Sequence, residues 1–260
     1  MRRQEVANTV TLESEGGLAT MRMDRAHGNA INGALADDLA AACRQAGEDP
    51  AVRGVMLAGA GKLFCPGLDV QELVELDRPA MEDFLGRLNT CVYALYTFPK
   101  PLVARLHGHT IAGGCVVALT ADWRVLCDGA LIGLNEVRVG VPFPYGVSMI
   151  LRESAPSPKV EEVALFGRNY RGEDAIAAGL AHEIHPAEGF DDHCRARLEE
   201  LAERDARAFS ISKRYLRSPV VERIRAHEQE LMHEFLDSWF SPSTQERLAG
   251  MAAELRGGAK

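Results

Sequence analysis

A mixed α/β fold is predicted by three features of this sequence. Short apolar runs with strand character alternate with longer stretches of helical periodicity. Twice, a buried strand candidate runs into a glycine-bearing loop, which is where α/β proteins bind ligands. The chain of 260 residues, 47% hydrophobic and 25% charged, suffices for one well-buried core with an appendage and excludes disordered or collagen-like classes.

The elements follow in order. Residues 9–12 and 18–23 read as two strands joined by a turn at Glu15-Gly16-Gly17. Asn32 is a cap-like residue before a helix over 34–46, whose Leu35, Leu39, Ala42, Cys43 and Ala46 fall on one face, with Gly47 and Pro50 ending it. Residues 55–58 form a buried strand that runs through Gly59-Ala60-Gly61 to Phe64-Cys65-Pro66-Gly67-Leu68-Asp69. A second unit repeats the pattern: a helix over 78–98, a break at Pro99 and Pro101, a strand over 102–106, and the loop Gly108-His109-Thr110-Ile111-Ala112-Gly113-Gly114. An apolar segment over 115–121 reads as a buried helix, strands follow at 123–127 and 131–132, and the remainder is mostly helical, with a long amphipathic candidate over 220–240. The shift to charge-rich helical sequence after Asp191 divides the chain into a core over 1–190 and a C-terminal helical subdomain over 191–260.

Composition narrows the function classes. The net charge of −8, with no dense Lys/Arg block, argues against a nucleic-acid partner. The longest apolar stretch, 111–121, is too short to span a membrane. Arg2 and Arg3 stand where an export signal would begin, but no apolar segment follows, so the pair reads as a solvated terminus. Six cysteines without a Cys-x-x-Cys suggest neither a disulfide framework nor a zinc knuckle, and a reducing, cytoplasmic setting is expected.

The two glycine loops carry the chemistry. Ala112-Gly113-Gly114 allows close approach of the backbone to a ligand, and a helix starting there would offer unpaired N–H groups to a developing oxyanion. In the first loop Pro66 has no N–H, which leaves Gly67 and Leu68 as donors. Glu136, set among Ile132, Leu134 and Val137, is a candidate base whose apolar surroundings would raise its pKa. His107-Gly108-His109 lacks a third ligand at suitable spacing, so no metal site is expected. Cys65 and Cys115 lack a companion base and read as packing residues. Asp69 is expected to bond within its own loop and Asp122 to make a helix-end contact, while Tyr145 is a candidate for lining an acyl pocket or for the core.

These residues resemble the crotonase, or enoyl-CoA hydratase/isomerase, superfamily of acyl-CoA enzymes. Phe64-Cys65-Pro66-Gly67-Leu68-Asp69 looks like its first oxyanion loop and Ala112-Gly113-Gly114-Cys115 its second, and the match continues through Asp122, Glu136, Gly140, Pro142 and residues 172–180. The resemblance implies a spiral of ββα units with C-terminal trimerisation helices over 220–255, and hence a homotrimer or dimer of trimers. It assigns the N–H groups of Leu68 and Gly113 to the thioester oxygen and Glu136 to proton transfer, with Arg25, Pro66, Gly67, Asp69, Val116 and Tyr145 as further substrate contacts. It implies no cofactor, because coenzyme A is part of the substrate.

Where the family's hydratases carry a first glutamate this chain has Val116, which cannot orient water; the second place is filled by Glu136. The pattern is closest to the family's 3,2-enoyl-CoA isomerases, which work with a single glutamate. A hydratase or other enolate reaction, and a non-catalytic acyl-CoA-binding relative, are the alternatives. Gln71 stands where many members carry a lysine, leaving Arg25 and Lys62 as candidate phosphate partners.

Overall fold

The computed structural model describes residues 2–5 and 9–257. Residues 1 and 6–8, and 258–260 of the expected C-terminal subdomain, lie outside them. One seven-stranded sheet organises the chain: β1 (Arg2–Glu5), β2 (Val10–Glu15), β3 (Leu18–Met23), β4 (Gly54–Gly59), β5 (Leu102–Leu106), β7 (Trp123–Cys127) and β9 (Glu183–His185), in that spatial order. The first three strands are antiparallel and the rest parallel. A separate parallel pair joins β6 (Thr110–Ile111) to β8 (Ile132–Gly133), and single bridges extend it from Cys65 on one side to Tyr170 on the other. Each turn of the chain therefore lays a strand on the large sheet and then a short extended segment on the small one, and it is on this second layer that both glycine loops lie.

Local chemistry accounts for most boundaries. The hairpin between β2 and β3 turns on Gly16 and Gly17, both at positive φ, so β2 runs to Glu15 instead of stopping at Leu12. Helix α1 (Gly33–Glu48) is capped by Asn32, which accepts from Leu35 N at 3.0 Å, and buries the five residues expected on its inner face. It passes through Gly47 and ends at Asp49, where the following Pro50 disfavours helical geometry. Helix α2 (Arg78–Tyr96) starts from an Asp77 cap and stops two residues before Phe98. Helix α3 (Gly113–Leu119) is the buried apolar helix, and α4 (Tyr145–Ser154) follows β8. Helix α5 (Phe190–Ala202) lies across the sheet, with Leu198 close over Gly54.

One expectation is refined and one is corrected. Arg2 and Arg3 belong to a hydrogen-bonded edge strand, with Arg3 opposite Glu13. The helix expected to begin at 220 is α6 (Ala206–Trp239), which runs through Pro219 before α7 (Pro242–Gly257). A proline inside a helix costs about 3 kcal/mol. Contacts from the turns before it offset this: Lys213 donates to Asp122 (2.7 Å) and to Lys100 O (3.1 Å), and Arg217 donates to Tyr96 O and Thr120 O, both at 2.6 Å.

Candidate active site

The first loop is held open by its neighbours. Asn29 Nδ2 donates to the carbonyls of Ala60, Leu63 and Phe64, at 3.0 to 3.2 Å. Ile31 N donates to Gly67 O (2.8 Å) and Asp69 N to Ile31 O (2.9 Å), so Leu68 sits between two anchored residues while its own N–H has no partner among the described residues. The second loop reaches the first by direct contact. Gly67 has φ +110°, and a Cβ there would lie 3.0 Å from Ala112 Cβ and 3.3 Å from Gly113 N. A Cβ on Gly114 would lie 2.2 Å from Cys65 O, so glycine is required for the loops to meet. Gly113 opens α3, and its N–H, which has no preceding helical turn to bond to, is likewise unpartnered among the described residues. Ala112 carries the loop's strain, at φ 50° and ψ −124°.

Glu136 starts a single 3-10 turn, Glu136–Val139, closed by Gly140 at φ 78°. Its Oε2 is buried without a hydrogen-bond partner, and burial pushes its pKa from 4.5 to about 7. Leu68, Gly113, Val116, Pro66 and Glu136 line one cavity of about 170 Å³. Among the described residues that line it, Glu136 is the one carboxylate, and Val116 presents an apolar wall. Two unpaired donors and one unpaired, poorly solvated base share an apolar enclosure, which suits removal of a proton next to a carbonyl whose oxygen the donors hold.

Other expected contacts lie elsewhere. Arg25 is not available to a phosphate: its Nη1 donates to Asp69 (2.7 Å) and to Ala30 O (2.7 Å), and its Nη2 pairs with Glu72. Asp69 is buried. Burial alone would raise its pKa, but hydrogen bonds from Arg25 and His27 hold it below the usual value while it also caps the turn Val70–Leu73. Neither Arg25 nor Asp69 lines the cavity. Tyr145 also lies outside it: its neighbours Pro144 and Gly146 contribute to the wall, whereas its ring sits edge-on to His227 at 6.0 Å. Lys62 is exposed, and Gln71 gives its carbonyl to Arg256 of α7.

His107 and His109 work separately, the first with Gly61 O and the second accepting from Leu131 N; no group of three or more metal-ligating side chains occurs among the described residues. Cys65 and Cys115 are fully buried, and burial pushes the Cys65 thiol up to about 12 and that of Cys115 further. Asp122 accepts from Leu102 N and pairs with Lys213 and Arg217, a helix-end role.

Sequence reasoning missed the outer wall, built by Asn89 and Tyr93 of α2, Phe235 and Trp239 of α6, and Leu248 and Met251 of α7. The amphipathic pattern of α6 signalled that a face is buried, but not what it covers.

The enoyl-CoA hydratase/isomerase family model matches residues 13–254. The chain therefore belongs to the enoyl-CoA hydratase/isomerase family, within the crotonase superfamily. It is 30% identical over 183 residues to the probable enoyl-CoA hydratase EchA17 of Mycobacterium tuberculosis, covering 69% of this chain and 70% of that one. It is 25% identical to the carnitinyl-CoA dehydratase of Proteus mirabilis over 76% of each chain. Its fold superposes on human mitochondrial delta3-delta2-enoyl-CoA isomerase with a TM-score of 0.93 at 22% identity, over 97% of this chain and 100% of that one. At that identity the likeness is one of fold, and it establishes the crotonase architecture.

Proposed function

We propose that this protein is a 3,2-enoyl-CoA isomerase that works with one carboxylate. The observation that carries this reading is Glu136: the single acid on a cavity that also holds the free N–H groups of Leu68 and Gly113, with Val116 rather than a second acid beside it. The Glu136 carboxylate takes the proton from C2 of a 3-enoyl thioester, and the electron pair passes to the thioester oxygen, giving a dienolate. The Leu68 and Gly113 amides hold the charged oxygen. Glu136 then returns its proton to C4 as the double bond settles between C2 and C3. The reaction is redox-neutral and uses no cofactor, coenzyme A entering as part of the substrate.

Purified protein should convert 3-hexenoyl-CoA to the conjugated 2-enoyl ester. Glu136→Gln should lower kcat about a thousandfold, within the usual range for losing a general base, while CoA-ester binding persists. Because the base is needed ionised and its pKa is about 7, kcat should rise with pH through that value and level off above it. Full activity in Glu136→Gln would remove that residue from the mechanism. Loss of crotonyl-CoA conjugation on adding enzyme, with 3-hexenoyl-CoA unchanged, would favour hydration instead. Binding without turnover across a panel of enoyl, dienoyl and β-hydroxyacyl thioesters would make the protein a binder.

The proposed assembly is a homotrimer or dimer of trimers, supported by the exposed apolar side chains Tyr215 and Leu216 on α6. Light scattering after size exclusion should give three or six times the chain mass of 28.3 kDa. A cytoplasmic location is proposed on the six free cysteines, all buried.

A further inference from the structure

The wall of the acyl cavity includes a second residue with an unsatisfied polar atom, of the opposite kind to Glu136. Trp239, the last residue of α6, lines the cavity and is 1% exposed; its Nε1–H is buried and has no hydrogen-bond partner among the described residues. Its surroundings are apolar: Phe235 stacks beside it at 6.0 Å, and Leu248, Met251 and Val141 share the same wall. Buried indole N–H groups are ordinarily paired, so an orphan donor on a ligand cavity marks a place where a ligand supplies the acceptor.

The neighbouring polar groups do not fill that role. Asn89 Nδ2 and Tyr93 Oη both donate to Glu228, at 2.5 and 2.8 Å, on the far side of the wall. A water molecule held against Trp239 would need two to four polar partners, and the side chains of Phe235, Leu248, Met251 and Val141, which share its wall, offer none. Nor does the mechanism above use this donor, since the thioester oxygen is held by main-chain amides.

We infer that the acyl group taken by this cavity carries a hydrogen-bond acceptor, a hydroxyl or keto oxygen beyond the reacting carbons, which Trp239 Nε1–H recognises. The substrate class is then oxygenated acyl-CoA thioesters rather than plain alkyl ones. This rests on the proposed reaction only in taking the cavity as the acyl site. A site built to hydrogen-bond a substrate oxygen discriminates against the analogue lacking it, because the buried donor is left unpaired.

Saturated esters test the inference apart from the reaction, since they have no double bond to move. Calorimetric titration of the full-length protein with hexanoyl-CoA and with its 5- and 6-hydroxy and 5-oxo derivatives should show at least one oxygenated ester binding about tenfold tighter, the ratio corresponding to one buried hydrogen bond. Trp239→Phe removes the N–H together with part of the packed indole; whatever it does to hexanoyl-CoA affinity, it should bring that ratio to about one. With only two tryptophans in the chain, the wild-type indole N–H resonances provide a measurement that needs no variant: one should move downfield with the oxygenated ester and not with hexanoyl-CoA.

Equal affinity for all the esters, a preference that survives Trp239→Phe, or an equal loss of both affinities in that variant would overturn the inference. Isomerisation of 3-hexenoyl-CoA in the face of any of these would leave the proposed reaction standing. The oxygen preference without isomerisation would leave the inference standing and remove the reaction.

Discussion

Ionising Glu136 inside the fold is unfavourable for the same reason that fits it to the proposed role of base. Its pKa in the folded state, about 7 against an ordinary 4.5, means that the fold favours the protonated form. The associated stability is fully present below about pH 4.5 and is lost as pH rises through 7. Glu136→Gln, which cannot ionise, should therefore match the wild type near pH 4 and exceed it at pH 8 by on the order of 3 kcal/mol, read as unfolding midpoints at the two pH values. Identical midpoints would mean that the carboxyl is solvated after all. Ala112 makes a related point one loop away. A non-glycine residue at φ 50° and ψ −124° stores strain, so Ala112→Gly should raise stability by up to about 1 kcal/mol in thermal unfolding, and Ala112→Val should lower it. Both residues stand against the general preference of their type, and both border the cavity.

Between elements, the two contacts that matter most are the meeting of the glycine loops and the docking of α6. At the first, Gly114 leaves no room for a methyl group beside Cys65 O. Gly114→Ala should push the loops apart, lowering stability by about 1 to 3 kcal/mol and activity by a hundredfold or more, since one displaced oxyanion donor alone has that effect. At the second, Asp122 holds Lys213 and Arg217 where α6 crosses the ends of α2 and α3, all three side chains being largely buried. Asp122→Ala strands a buried ammonium, and urea unfolding should show a loss of about 3 kcal/mol or more. A change below about 1 kcal/mol would mean that the helix docks through its apolar face alone. These contacts also explain why a helix crosses Pro219 where periodicity suggested a start after it: the deficit is local and the compensation comes from residues about a hundred positions earlier.

Across the whole molecule, the site is assembled from five distant stretches: the loop after β4, the start of α3, the turn after β8, helix α2, and the C-terminal helices that close the cavity over them. The first three were legible in the chain. Pro66, Gly67, Leu68, Gly113 and Glu136 sit in short segments whose chemistry is local, because a residue without an N–H, a positive φ and an acid among aliphatics each leave a mark within a few positions. The inner face of α1 was legible for the same reason, its period being intrinsic to the helix. The surroundings of Arg25 and Tyr145 were not legible, because they depend on other segments: Asp69 and Glu72 for one, and for the other His227 and the core, which was one of its two expected places. Trp239, Leu248 and Met251 left no local mark at all: in sequence they are apolar residues on amphipathic helices, indistinguishable from core. What is encoded within a few residues, the unpaired amides, the acid among aliphatics and the alternation of strand and helix, could be read from the chain alone. Which residues wall the cavity, which ions pair and how far α6 extends were settled by packing between segments far apart in the chain, because burial and pairing are properties of the space between elements and not of any one of them.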